Sequence, residues 1–279
     1  IWRGASRKGE RRRRPRMAGW AMRWMAALVL MTAPALAQSD CIALSGLKPQ
    51  VIPATYAPEQ GVAIRYLDHA MFALTLPGGL MAVTDYNGRI GDTVPGVVTM
   101  NHYHDTHFTP TPDPRIPLVV PGWGSFGQPA AVDIDLGPLR LRNVTTDTRG
   151  PFGEGGAQDG NSIFIFEAEG LCIVHLGHLH QALSPAKRAM IGRVDVLMAP
   201  VDGGYTMSQD AMAAEIRALH PRIILPMHWF SEAGLAGFLA AMPDLPVTRL
   251  SGPDLVVTRE TLGEPRIIIL SPALFPPGD

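Results

Sequence analysis

The chain has 279 residues, 46% of them hydrophobic and 18% charged, with 29 glycines and 26 prolines. This balance supports a sizeable core with many loops and argues against a helical bundle or a disordered chain. The formal net charge of −1 hides a basic start, nine Lys/Arg against one acid in residues 1–37, and a body with 15 basic and 24 acidic residues. So acidic a body argues against nucleic acid, whose binding rests on phosphate neutralisation.

In chain order, the first element reads as an export signal. "RRRRPRMAGWAMRW" is a basic region, "MAALVLMTAPALA" is an apolar one, and Ala35-Leu36-Ala37 has the small-x-small cleavage pattern. The apolar run is too short for a membrane span. The alternative is an interfacial helix. Residues 1–37 are therefore expected to be a signal peptide. Within them, residues 1–16 lack Met and read as a non-native leader before a start at Met17 or Met22. The mature chain, 38–279, is expected to be a single periplasmic or secreted domain with no membrane anchor left after cleavage. Asp40 before Cys41 is wrong for lipidation. An oxidising compartment permits a bridge between Cys41 and Cys172; the alternative is one buried and one exposed thiol.

The first half of the body reads as strands. "GVAIRYL", "MFALTL", "LMAVTDY" and "GVVTM" come first, then "IPLVV", "AAVDIDL" and "LRLRNVTT", with turn residues between them. "NSIFIFEAEGLCIVHLG" reads as a hairpin, and "FALTLPGGLMAVTDY" echoes it faintly. The second half alternates. Ser184-Pro185 opens the helix "PAKRAMIG", Ser208 caps "SQDAMAAEIRALHP" and Pro221 stops it, and "EAGLAGFLAAM" is a third helix. "VDVLMAPV", "RIILPMH", "LVVT" and "RIIIL" are strands. Helices following strands in this way predict layers, with helices covering a central pair of sheets.

Nine histidines are present, and seven gather where apolar strands run out: His102, His104 and His107; His175, His178 and His180; and His228. Strand ends let distant segments deliver side chains to one rigid point. His102 and His104, two residues apart, share one side of an extended backbone. Zn²⁺ binds neutral imidazole well, and three protein ligands leave one position for water. The alternative is a polar rim with no metal. Tyr103, Trp229 and Phe230 flank these histidines and could wall an apolar pocket or simply pack. "GPFGEGGAQDGN" (150–161) lacks the strand-to-helix context of a phosphate cradle, and Ser125 lacks the G-x-S-x-G spacing of a nucleophile elbow.

Several ordered segments resemble the metallo-β-lactamase superfamily, in particular its ascorbate-phosphate-lactonase-like branch. "YLDHAMFALTLPGGLMAVTDY" is similar to that branch's opening, with His69 and Asp85 on its histidine and buried aspartate. "VVTMNHYHDTH" resembles its H-x-H-x-D-H strand end. "GLCIVHLGHLHQALSP", "VDVLMAPVDGGYT" and "PRIILPMHW" resemble its later strands, with the last metal histidine on His228. The resemblance implies a four-layer αββα sandwich of two mixed sheets covered by helices. It places His69 behind Asp85 or behind a ligand; the alternative is a hydrogen-bonded core histidine.

Two positions depart from the family pattern. Thr106 stands where the pattern has Asp, with Asp105 one residue earlier, and His178 stands where it has a bridging Asp. No histidine lies between 108 and 174, where another is expected, so Asp147 or Asp159 is left as its substitute. One tight Zn²⁺ is favoured over two ions, with a second ion, Mn or Fe as alternatives. The expected ligand residues are His102, His104, His107, His178 and His228: His107, His178 and His228 form the core set, and His102 and His104 complete it, bind a weaker second ion or transfer protons. His104 and Asp105 are the expected catalytic groups. The function expected is a secreted metal-dependent hydrolase of small esters, lactones or phosphoesters. The alternatives are a non-catalytic periplasmic metal- or ligand-binding protein on the same fold, and redox chemistry at a histidine-bound iron or copper.

Overall fold

A computed structural model describes residues 41–42, 61–91, 93–101, 105–125, 128–149 and 156–274. All belong to one compact unit, Ala37–Asp279. The expected export signal, His102, Tyr103 and His104 lie outside the described residues. Among the described residues no helix is long and apolar enough to cross a membrane.

The first half forms strands β1 (Val62–Asp68), β2 (Met71–Thr75), β3 (Met81–Val83), β4 (Val97–Met100), β5 (Leu118–Pro121), β6 (Asp133–Asp135) and β7 (Arg140–Thr146). The hairpin follows as β8 (Asn161–Ala168) and β9 (Leu171–His175). It closes through Glu169 and Gly170, both at positive φ, the two-residue turn that matches strand twist. The alternating half supplies α1 (Pro185–Ile191), β10 (Val196–Pro200), α2 (Gln209–Leu219), β11 (Ile223–Met227) and α3 (Glu232–Ala241). Three strands end the chain: β12 (Val247–Arg249), β13 (Asp254–Val257) and β14 (Arg266–Ile269).

These strands make two mixed sheets, ordered β13-β1-β2-β3-β4-β5 and β12-β14-β11-β10-β9-β8-β7-β6. Both sheets contain the same run, a hairpin followed by two parallel strands: β2-β3-β4-β5 in one and β8-β9-β10-β11 in the other. The faint echo between the two hairpin sequences thus falls on topologically equivalent pairs.

Side-chain alternation sorts each strand between two cores. Leu171 and Ile173 of β9, with Val196 and Met198 of β10, meet Phe72 and Leu74 of β2 between the sheets. Cys172, Val174, Leu197 and Ala199 point the other way, onto Met212 and Ile216 of α2 and Leu235 and Phe238 of α3. All three described helices pack on this outer face. Met71, Ala73, Val83 and Val98 form a third cluster on the far face of the first sheet.

The helix signals lie where the sequence places them. Ser184 and Ser208 accept from Lys187 N and Ala211 N, and α2 ends on His220 in the left-handed region just before Pro221. A disulfide joins Cys41 to Cys172, tying the segment around Cys41 to β9. Strand β12 has no counterpart among the predicted strands. It is three exposed residues paired only with β14, so no burial pattern marks it.

Strands β3, β4, β9, β10 and β11 all end along one edge, and the β1–β2 turn lies beside them. Ligand sites of sheets with parallel strands form at such carboxyl ends.

Candidate metal centre

Three imidazoles converge on that edge. Ligand atoms of His69, His107 and His228 all lie within 4.8 Å of one another, the one such group of three or more His, Cys, Asp or Glu among the described residues. Ring centroids are 3.9 Å apart for His69–His228, 5.2 Å for His69–His107 and 5.3 Å for His107–His228.

Each ring is fixed by a different device. His69 occupies the β1–β2 turn at φ 44°. Its carbonyl accepts from the Tyr66 hydroxyl at 2.7 Å and from the His228 amide at 2.8 Å, and the second bond stitches the two sheets together. His107, 1% exposed, follows β4, and its Nδ1 lies 2.6 Å from Asp85 Oδ2. Asp85 leaves β3 fully buried. Burial pushes its carboxyl up to about 7, against the pull of His175 and His228. His228 leaves β11 at φ 58°, with Nδ1 3.0 Å from Asp202 Oδ1.

Asp202 also accepts from the amides of Gly204 (2.8 Å), Tyr205 (2.5 Å) and Thr206 (3.2 Å), and from the Thr206 hydroxyl (2.5 Å). Burial opposes its ionisation, but His228, Thr206 and the loop amides outweigh it and hold the carboxyl below the usual carboxylate range.

This donor set fits a divalent cation. The Asp85 carboxyl at Nδ1 of His107 leaves that ring's Nε2 for the ion, the usual way in which a metal-binding imidazole is oriented, and Asp202 faces His228 Nδ1 as an ion-pair contact. Asp202 places a negative charge beside the set, and Asp85, pushed up to about 7 by burial, adds a second when ionised. Ligand nitrogens in a tetrahedral zinc site stand about 3.4 Å apart, and the three groups here already lie within 4.8 Å of one another.

The cluster differs from the expected core set in one member, since His69 rather than His178 joins His107 and His228, while the expected ligands His102 and His104 lie outside the described residues. His178 is half-buried beside them, its ring centroid 5.4 Å from His107 and 5.1 Å from His228. Asp105 and Thr106 are exposed in the turn before His107, and the carboxylate that orients His107 is Asp85. His175 is structural: its Nε2 meets the Ala70 carbonyl at 2.8 Å and its Nδ1 accepts from Gly177 N at 3.1 Å. Asp147 accepts from the Asp159 amide and from Gln181. Burial and nearby Arg149 push the His180 imidazole down, while Asp147 pulls it up. Trp229 is buried in the helix-side core, whereas Phe230 is exposed.

Sequence reasoning missed His69 as a cluster member and missed Asp202 altogether. Asp-Gly-Gly after an apolar strand is an Asx-turn signal, and it marks a loop rather than a ligand's partner.

Comparison with known proteins identifies the family and the fold. A family model described as a beta-lactamase superfamily domain matches residues 63–228. A UPF0173 protein of Pyrococcus furiosus is 32% identical over 106 residues, 36% of this chain and 44% of the relative, so the match spans less than half of that relative's length. A candidate Zn-dependent hydrolase of the metallo-β-lactamase superfamily from Thermotoga maritima superposes with a TM-score of 0.56 at 27% identity, covering 75% of this chain and 98% of its own. A candidate metal-dependent hydrolase from Parabacteroides distasonis shares the fold, with a TM-score of 0.51 at 16% identity over 66% of this chain and 89% of its own. The family match enters just before His69 and ends on His228, spanning both sheets and every imidazole of the cluster, and the chain belongs to the metallo-β-lactamase superfamily.

Proposed function

We propose that this protein is an exported metal-dependent hydrolase that holds one tight Zn²⁺ and cleaves an ester, lactone or phosphoester bond in a small molecule. The observation that carries this reading is the cluster of His69, His107 and His228, with Asp85 and Asp202 behind two of its rings. When bound, a divalent cation supplies Lewis acidity and lowers the pKa of water. The three imidazoles would hold the ion, Asp85 would keep His107 in the binding tautomer, and Asp202 would place a negative charge beside His228. His178 stands beside the set as a proton carrier. His104 and the exposed Asp105 are the remaining proton-transfer groups of this reading. Export is supported by the basic-apolar leader and by the Cys41–Cys172 disulfide, which belongs in an oxidising compartment.

The test is elemental analysis of the mature protein, coupled to a panel of lactones, esters and phosphodiesters before and after chelation. About one equivalent of metal, turnover lost on chelation and restored by Zn²⁺, and turnover abolished by His228→Ala are expected. Full activity after exhaustive metal removal refutes the reading. Thr106 and His178, neutral where the family pattern has Asp, favour a second reading: a binding protein that retains metal without turnover. Tight metal with no hydrolysis across the panel selects it.

A further inference from the structure

We propose that Tyr205 and Phe230 form an aromatic platform at the mouth of the centre, selecting substrates with a flat aryl group beside the scissile bond. This rests on the hydrolase reading and adds a substrate class to it. The two rings are 66% and 56% exposed, the only aromatics among the exposed large hydrophobic residues described. Isolated exposed apolar residues are ordinary, but these two meet edge to face at 5.6 Å. The Phe230 centroid is also 5.3 Å from both His69 and His228. The platform is therefore continuous with the imidazoles.

The backbone under both rings is held firmly, which preorganises them for a ligand. Phe230 follows His228, whose amide is bonded to the His69 carbonyl. Tyr205 sits in the loop gathered by Asp202, and the Arg149 guanidinium donates to the Gly204 carbonyl in the same loop. Neither ring is needed by a core, and Trp229 between His228 and Phe230 is the residue that turns inward. An aryl group stacked here lies at ordinary ring–ring distance from Phe230, with its substituent reaching the edge where the histidines point.

Benzyl acetate and butyl acetate have similar alcohol leaving groups and differ in the ring. The zinc-loaded protein is expected to favour benzyl acetate by about tenfold in kcat/KM, the scale of a good aromatic contact. That ratio should fall towards unity in Phe230→Ala and in Tyr205→Ala. A parallel reading without turnover uses 4-phenylbutan-2-one and hexan-2-one in saturation-transfer NMR. Saturation of the phenyl protons is expected with the native protein and is expected to be lost in both variants. Ester turnover without benzyl preference, or phenyl saturation absent from the native protein or unchanged in both variants, overturns the platform and leaves the hydrolase reading intact. Ring-dependent phenyl saturation with no ester turnover keeps the platform and removes the hydrolase.

Discussion

Replacing Asp202 by Asn changes no shape and removes one charge, at a carboxylate with five partners. Its Oδ2 takes three amide donors and its Oδ1 takes the Thr206 hydroxyl and faces His228 Nδ1. An amide side chain can present its oxygen to only one of these sides. If the oxygen stays on the loop amides, the NH₂ group faces His228 Nδ1, favouring the tautomer protonated on Nε2 and so blocking the ion. If it turns to His228, the NH₂ group opposes three N–H donors. Two of those amides are exposed and the third is half-buried, so water takes over part of the bonding and the metal-free variant should lose about 1 kcal/mol, or ~2–4 °C in Tm for a domain of this size. Disturbing the partner of a metal-binding histidine typically weakens metal affinity about 10- to 100-fold. Competition with a chromophoric chelator measures the second effect, and thermal unfolding of the chelated protein measures the first. An Asn variant that binds Zn²⁺ within twofold of the native value refutes the assignment of His228 Nδ1 to Asp202.

His69→Ala and His178→Ala separate the observed cluster from the expected one. The first should weaken metal binding about 100-fold or more and the second less than about tenfold, on the scale of losing a ligand against losing a neighbour; chelator competition reads both. Gly177→Ala places a Cβ 1.5 Å from Asn101 Nδ2 at φ +60°, so denaturant titration should show a loss of about 3 kcal/mol or more. Replacing Cys41 and Cys172 together by Ser opens a crosslink 131 residues apart in sequence, for which chain entropy allows up to about 5 kcal/mol. A midpoint unchanged in guanidinium would place that bridge outside the stabilising contacts.

Much of this protein is legible in local pattern. An alternating run marks β1, near-continuous apolar runs mark β2, β8, β9, β10 and β11, and Ser184-Pro185, Ser208 and Pro221 mark helix ends, because their physics acts within a few residues. The gathering of histidines at strand ends is legible for the same reason. Other features rest on partners far away in the chain. β13 and β14 read alike as short apolar runs, yet β13 pairs with β1 and β14 with β11, in different sheets. β12 earns its strand geometry only from β14.

The membership of the cluster is settled in the same way. His69 looks like a turn residue until its carbonyl bonds the His228 amide, 159 positions later, and their rings come to 3.9 Å. Asp85 and Asp202 become partners of His107 and His228 only when sheet edges align. Propensity and periodicity are short-range properties of the chain, whereas which imidazole shares a point with which carboxylate depends on how two sheets pack face to face.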